Sequence, residues 1–121
     1  MAAGKYDFTI EQGATFSRQI TWQNEDGTAV NLTGYTVAGK IKRKVTDAQP
    51  LISFTCTVTN AASGIFTFSL TAAQTATLPI NPSQKADREL LYCSYDIEAT
   101  TGGTVYRILE GVAKISPEVT R

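Results

Sequence analysis

The chain predicts an all-β sandwich. Three observations carry that reading. Runs of strict apolar/polar alternation recur along its 121 residues. Turn signals built from Gly, Asn and Asp separate those runs. A Gly-Gly pair, Gly102-Gly103, sits between two long β-prone runs and supplies the positive φ angles a type I′ hairpin demands. About seven short strands at this spacing argue for two packed sheets, with a small barrel as the alternative. There is no linker and no internal repeat, so residues 1–121 read as a single domain. A chain of this length buries roughly two-thirds of its unfolded surface and needs no metal or disulfide staple.

The elements follow in order. Residues 6–10 read as a short first strand, closed by Gln12-Gly13. Residues 15–23 alternate cleanly, with Phe16, Ile20 and Trp22 on one face. Arg18 interrupts that face, which calls for an edge position or a carboxylate partner. Asn24–Gly27 is a turn by composition, and Val30-Asn31-Leu32 is a brief apolar anchor. In residues 35–44, Tyr35, Val37, Gly39 and Ile41 face one way and Lys40, Lys42 and Lys44 the other. Residues 46–50 read as loop.

Residues 51–59 place Ile52, Phe54, Cys56 and Val58 inward. Asn60–Gly64 turns the chain, and Phe66, Phe68 and Leu70 carry the return strand. Thr71-Ala72-Ala73-Gln74 is a capping box, opening a helical segment over residues 71–78 that Pro79 and Pro82 terminate. Residues 81–87 are polar loop. Leu91, Cys93, Tyr95 and Ile97 form the inner face of the penultimate strand. Residues 105–115 form the last, whose phase breaks near Gly111, a place for a bulge.

Composition narrows the chemistry. The charges cancel at 11 basic against 11 acidic residues, so no global field draws the chain to nucleic acid or membrane. The sequence contains no histidine, which removes the usual base for a Ser or Cys nucleophile. Asp96 and Glu98 share the outer face of a strand, where solvated carboxylates are ordinary. Two cysteines without histidine fall short of a zinc site; Cys56 and Cys93, both inward, read as reduced core thiols. No phosphate loop is present, because Gly102-Gly103 lies in a hairpin. Neither a signal peptide nor an apolar run of ~20 residues appears, so synthesis in a cytoplasm is expected. No catalytic, cofactor-binding or metal residues are assigned, and no enzyme activity is expected.

Lys40-Ile41-Lys42-Arg43-Lys44 is the one charge cluster, read as a solvated strand face whose lysines discourage edge pairing. As a contact it suits an acidic patch on a protein better than DNA. Asn31-Leu32-Thr33 matches the glycosylation pattern by chance in a chain without an export signal. Trp22 reads as core.

The residues that open the chain, Phe8-Thr9-Ile10-Glu11-Gln12-Gly13-Ala14-Thr15-Phe16, then Trp22, an acidic-Gly turn and Asn31-Leu32-Thr33-Gly34-Tyr35, carry a resemblance. So do Gly64–Leu70 running into Thr71-Ala72-Ala73-Gln74, Tyr95-Asp96-Ile97, Arg107–Gly111 and Ile115–Val119. Over nearly its whole length the chain resembles small structural proteins of tailed bacteriophages. It looks especially like the immunoglobulin-like N-terminal domain of baseplate upper proteins. The resemblance implies an Ig-like antiparallel sandwich in the virion, assembled in the host cytoplasm, that packs against other virion proteins and copies of itself. Baseplate relatives continue into receptor-binding domains, whereas this sequence stops at Arg121. That favours an anchoring or bridging module of tail, baseplate or neck. A capsid decoration protein and a carbohydrate or cell-surface binding module are the alternatives. Docking arms are expected at residues 2–8 and 116–121, with Tyr6, Phe8, Lys40, Lys42 and Lys44 as candidate protein contacts. No nucleic-acid, membrane or small-molecule partner is expected.

Overall fold

The structure, a computed structural model, describes residues 4–43, 50–78 and 91–116. Its strands are β1 (Gly4–Lys5), β2 (Phe8–Glu11), β3 (Phe16–Thr21), β4 (Thr36–Lys42), β5 (Ile52–Ser53), β6 (Thr55–Asn60), β7 (Ile65–Leu70), β8 (Leu91–Thr101) and β9 (Thr104–Ser116). One helix, α1 (Ala72–Ala76), follows β7. One sheet has the order β1-β9-β8-β4-β5, with β2 also on β9; the other is β3-β7-β6. β1 and β2 are one strand interrupted at Tyr6-Asp7, and β5 and β6 one strand interrupted at Phe54. The nine segments are therefore seven runs, arranged as an Ig-like sandwich. Residues 44–49, 79–90 and 117–121, with Lys44, Pro79, Pro82 and the loop at 81–87, lie outside the described residues.

Alternation places Phe8, Ile10, Phe16, Phe54, Phe66, Phe68, Leu70, Tyr95, Ile97 and Ile115 between the sheets. Aromatic rings dominate the centre. Phe8 lies 4.8 Å from Phe16 and 4.5 Å from Tyr95 between centroids, and Phe54 lies 5.0 Å from Phe68. Phe54 is where the chain leaves one sheet for the other. Its N–H still donates to the Gly39 carbonyl at 2.8 Å, and a Cβ on Gly39 would collide with Ile97 and crowd the Phe54 ring. Glycine at 39 is thus the space the crossover needs.

The turn chemistry acts as expected. Thr101 pairs with Thr104 across Gly102 and Gly103, at φ 54° and 84°. The capping box is complete, with Thr71 N–H donating to Gln74 Oε1 at 2.8 Å and Gln74 N–H to Thr71 Oγ1 at 3.1 Å. Asn31 Oδ1 accepts from Thr33 N–H at 2.9 Å, so that triplet builds a turn.

Three expectations are refined. The first and last strands run parallel, Phe8 beside Ala113 and Ile10 beside Ile115, so the sandwich is not wholly antiparallel. The break in the last strand falls at Ile108, not Gly111. Ile97 pairs with Leu109 and Glu98 with Arg107, leaving Ile108 as the extra residue. Both Ile108 and Leu109 turn inward there, which moves the inner face from even to odd positions. Arg18 lies on β3, an edge strand, and its partners are the Ser17 carbonyl, which accepts from Nη1 at 2.8 Å, and two aromatic residues. Its Nε donates to the Tyr6 hydroxyl at 3.2 Å, and its guanidinium carbon sits 4.6 Å from the Phe16 centroid.

Candidate protein-contact surfaces

The outer face of the larger sheet carries a charged row. Pairing registers align Lys40 on β4 with Asp96 on β8, Asp96 with Glu110 on β9, and Glu110 with Lys5 on β1. Arg107, nearer the hairpin, holds the two central carboxylates, with Nε 3.3 Å from Asp96 and Nη1 3.5 Å from Glu110. Lys5 pairs with Glu110 on the far side. The Glu110 carboxyl is held below its ordinary range chiefly by the hydrogen bond from Lys5. The row crosses a depression of about 740 Å³ whose lining includes Lys42, Ser94 and Val112.

Lys40 and Lys42 therefore stand on this face as expected, Lys40 exposed and Lys42 half-buried. They do not form an isolated basic patch, because β8 sets Asp96 directly opposite Lys40. β4 is interior to the sheet, between β8 and the short β5, so its lysines do not line a bare edge. Asp96 lies beside Arg107, and Glu98 is cross-strand from the same arginine. A charge-paired surface suits polar contact better than proton transfer.

The N-terminal segment corrects one expectation. Phe8 is 5% exposed and sits among four core rings, so in the folded domain it is not a docking residue. Tyr6 is half-buried; its ring lies 5.8 Å from Phe8, and its carbonyl accepts from the buried Tyr95 hydroxyl. Burial comes first, then nearby Asp7, Tyr6 and Glu110, in pushing the Tyr95 hydroxyl's pKa upward. Between β1 and β2 the chain crosses Gly111, where a Cβ would collide with the Tyr6 carbonyl. Tyr6 N–H donates to the Glu110 carbonyl at 3.0 Å, and Val112 N–H donates to Asp7 Oδ1 at 2.8 Å. Residues 4–8 are thus built into their own sheet. Of the C-terminal arm only Ser116 is described, and it belongs to β9.

Sequence reasoning missed two exposed apolar side chains near the hairpin end of β9, on opposite faces of the strand. Val105 and Tyr106 are 56% and 40% exposed. The Tyr106 ring lies 6.0 Å from Trp22 and 6.3 Å from Tyr35. Trp22 is buried and edge-on to Tyr35 at 5.7 Å, so the indole supports the Tyr106 ring from beneath. The signal that reveals their directions is the bulge at Ile108. It swings Tyr106 toward the Trp22 end and leaves Val105 outward.

Both cysteines are free. Burial pushes the Cys56 thiol up to about 11 and raises that of Cys93 as well. Among the described residues no group of three or more His, Cys, Asp or Glu side chains could hold a metal ion.

Residues 3–116 match a family model described as an LtfC-like, beta-sandwich domain. No curated protein matches the chain.

Proposed function

The chain belongs to the LtfC-like, beta-sandwich domain family, and on that membership we propose that it is a non-enzymatic structural protein of a bacteriophage particle. The proposed role is an anchoring or bridging module of the tail that works through repeated protein–protein contacts. The family match over residues 3–116 carries the reading, since the family's namesake is a phage tail-fibre-related protein. This agrees with the bacteriophage resemblance read from sequence at the level of a phage-related sandwich; the baseplate, and baseplate upper proteins in particular, belong to the proposal.

Two surface features support it. Tyr106 at the Trp22 end and Val105 on the opposite face of β9 each offer exposed apolar area. The row Lys40–Asp96–Glu110–Lys5 offers a mixed-sign face able to fix the register of a neighbour more than its affinity. The test is direct: particles of the encoding phage are purified, their proteins identified by mass spectrometry, and this protein located by electron microscopy with a labelled copy. Multiple copies along the tail are expected. Absence from the particles overturns the structural role, and copies confined to the capsid replace the tail module with a decoration protein.

A further inference from the structure

We propose that Gly4–Lys5, with the backbone of Tyr6, is an exchangeable arm that pairs with β9 of a second copy as it pairs with its own. The acceptor is the β9 edge at Leu109–Val112. This deepens the proposed function, because exchange is favoured where copies stand side by side.

The arm is weakly held and its pivot is already formed. β1 is two residues long, both exposed, and its side-chain tie is the solvent-exposed Lys5–Glu110 pair, a class of contact with little hold in water. β2, by contrast, buries Phe8 and Ile10 and anchors the chain. Tyr6 and Asp7 between them lie outside regular strand, and rotation about the Tyr6 N–Cα bond swings β1 and the Tyr6 N–H away while the Tyr6 carbonyl stays on the Tyr95 hydroxyl and its ring on Phe8.

The acceptor site is written for this particular segment. Gly111 leaves room for the crossing backbone. The Glu110 carbonyl takes the Tyr6 N–H, and the Glu110 carboxylate takes Lys5. Beside it, Ile20, Trp22, Phe66, Ile108 and Leu109 line an inter-sheet groove of about 430 Å³. Gly4 is the arm's contribution to that lining, and having no side chain it leaves the groove open. With the arm away, β9 presents unpaired backbone groups that invite another strand. The occupant that meets every one of these contacts in register is the same segment from another copy.

Cis and trans pairing make the same bonds, so local concentration decides between them. An intramolecular arm competes at an effective concentration on the order of millimolar, which dilute protein does not reach and an ordered array does.

The experiment mixes purified full-length Lys5→Cys and Glu110→Cys chains across a concentration series, oxidises them, and maps disulfides by mass spectrometry. Mapping the 5–110 bond keeps the native Cys56 and Cys93 from confusing the result. Lys5→Cys mixed with Asp26→Cys, in an exposed turn, is the collision control. The expected result is a 5–110 heterodimer about tenfold above control at near-millimolar protein, rising with concentration. No excess over control at any concentration overturns the proposal. Because the test uses purified protein, that failure leaves the virion assignment to its own measurement.

Discussion

At Gly111 one missing side chain lets two strands meet. A Cβ there would overlap the Tyr6 carbonyl and come within 2.7 Å of Asp7 Oδ1. Gly111→Ala should push the Tyr6–Asp7 crossing off β9 and cost about 1–3 kcal/mol, the usual range for overpacking, read as a lower denaturant midpoint. Trp22→Ala should cost more, about 3–5 kcal/mol, since the indole is buried and carries both Tyr35 and Tyr106. An unchanged melting temperature would remove Trp22 from the core. The thiols respond to pH. The Cys56 thiol rises from 9.0 to about 11 because burial disfavours the thiolate. The unfolded chain sheds that proton first, so stability should fall as pH climbs from 9.0 towards 11. Below that window Cys56 should alkylate slowly in the native protein, and both cysteines rapidly in denaturant.

At the scale of elements, α1 matters for what it ties down. Thr75 is fully buried. Its hydroxyl donates to the Ala14 carbonyl at 2.8 Å and accepts from Gly13 N–H at 3.0 Å, so it closes the β2–β3 turn from across the chain. Thr75→Val keeps the shape and removes the hydroxyl, leaving two turn groups unpaired. A loss of about 1–3 kcal/mol is expected, with Thr75→Ser close to wild type in thermal unfolding. The capping box that opens α1 was legible because both partners lie within four residues of each other. Thr75's role was not, because its partners are 61 and 62 residues away. The Gly102-Gly103 hairpin was legible on the same local grounds. The bulge was misplaced by three residues: Gly111 looked like the irregular position, whereas the adjacent inward pair Ile108 and Leu109 marks it.

For the molecule as a whole, alternation delivered the two-layer core, while the parallel union of first and last strands escaped it. Period-2 patterning says which face is buried and nothing about which distant strand lies alongside. The same gap explains the lysines. In sequence, 40–44 looks like a basic run; in the sheet, β8 sets Asp96 opposite Lys40, and β9 places Glu110 and Arg107 beyond it. That arrangement sets the outcome of replacing Lys40, Lys42 and Lys44 together with glutamine. Asp96 keeps Arg107 at 3.3 Å, so losing Lys40 leaves no carboxylate stranded. Exposed pairs contribute about 0–1 kcal/mol and fade with salt. The triple variant should therefore melt within a few degrees of wild type and enter phage particles at nearly normal yield. Arg107→Gln is the informative contrast, because Arg107 stands between two carboxylates. Its stability loss should exceed that of the triple lysine variant and shrink in high salt. Acid should act in the same direction. The Glu110 carboxyl is depressed in the fold, so its contribution is present above the ordinary carboxylate pKa of 4.5 and is lost as pH falls through the folded value. If instead the lysine variant is excluded from particles while its melting temperature holds, the outer face is the docking surface and its lysines, not Arg107, are what the neighbour reads.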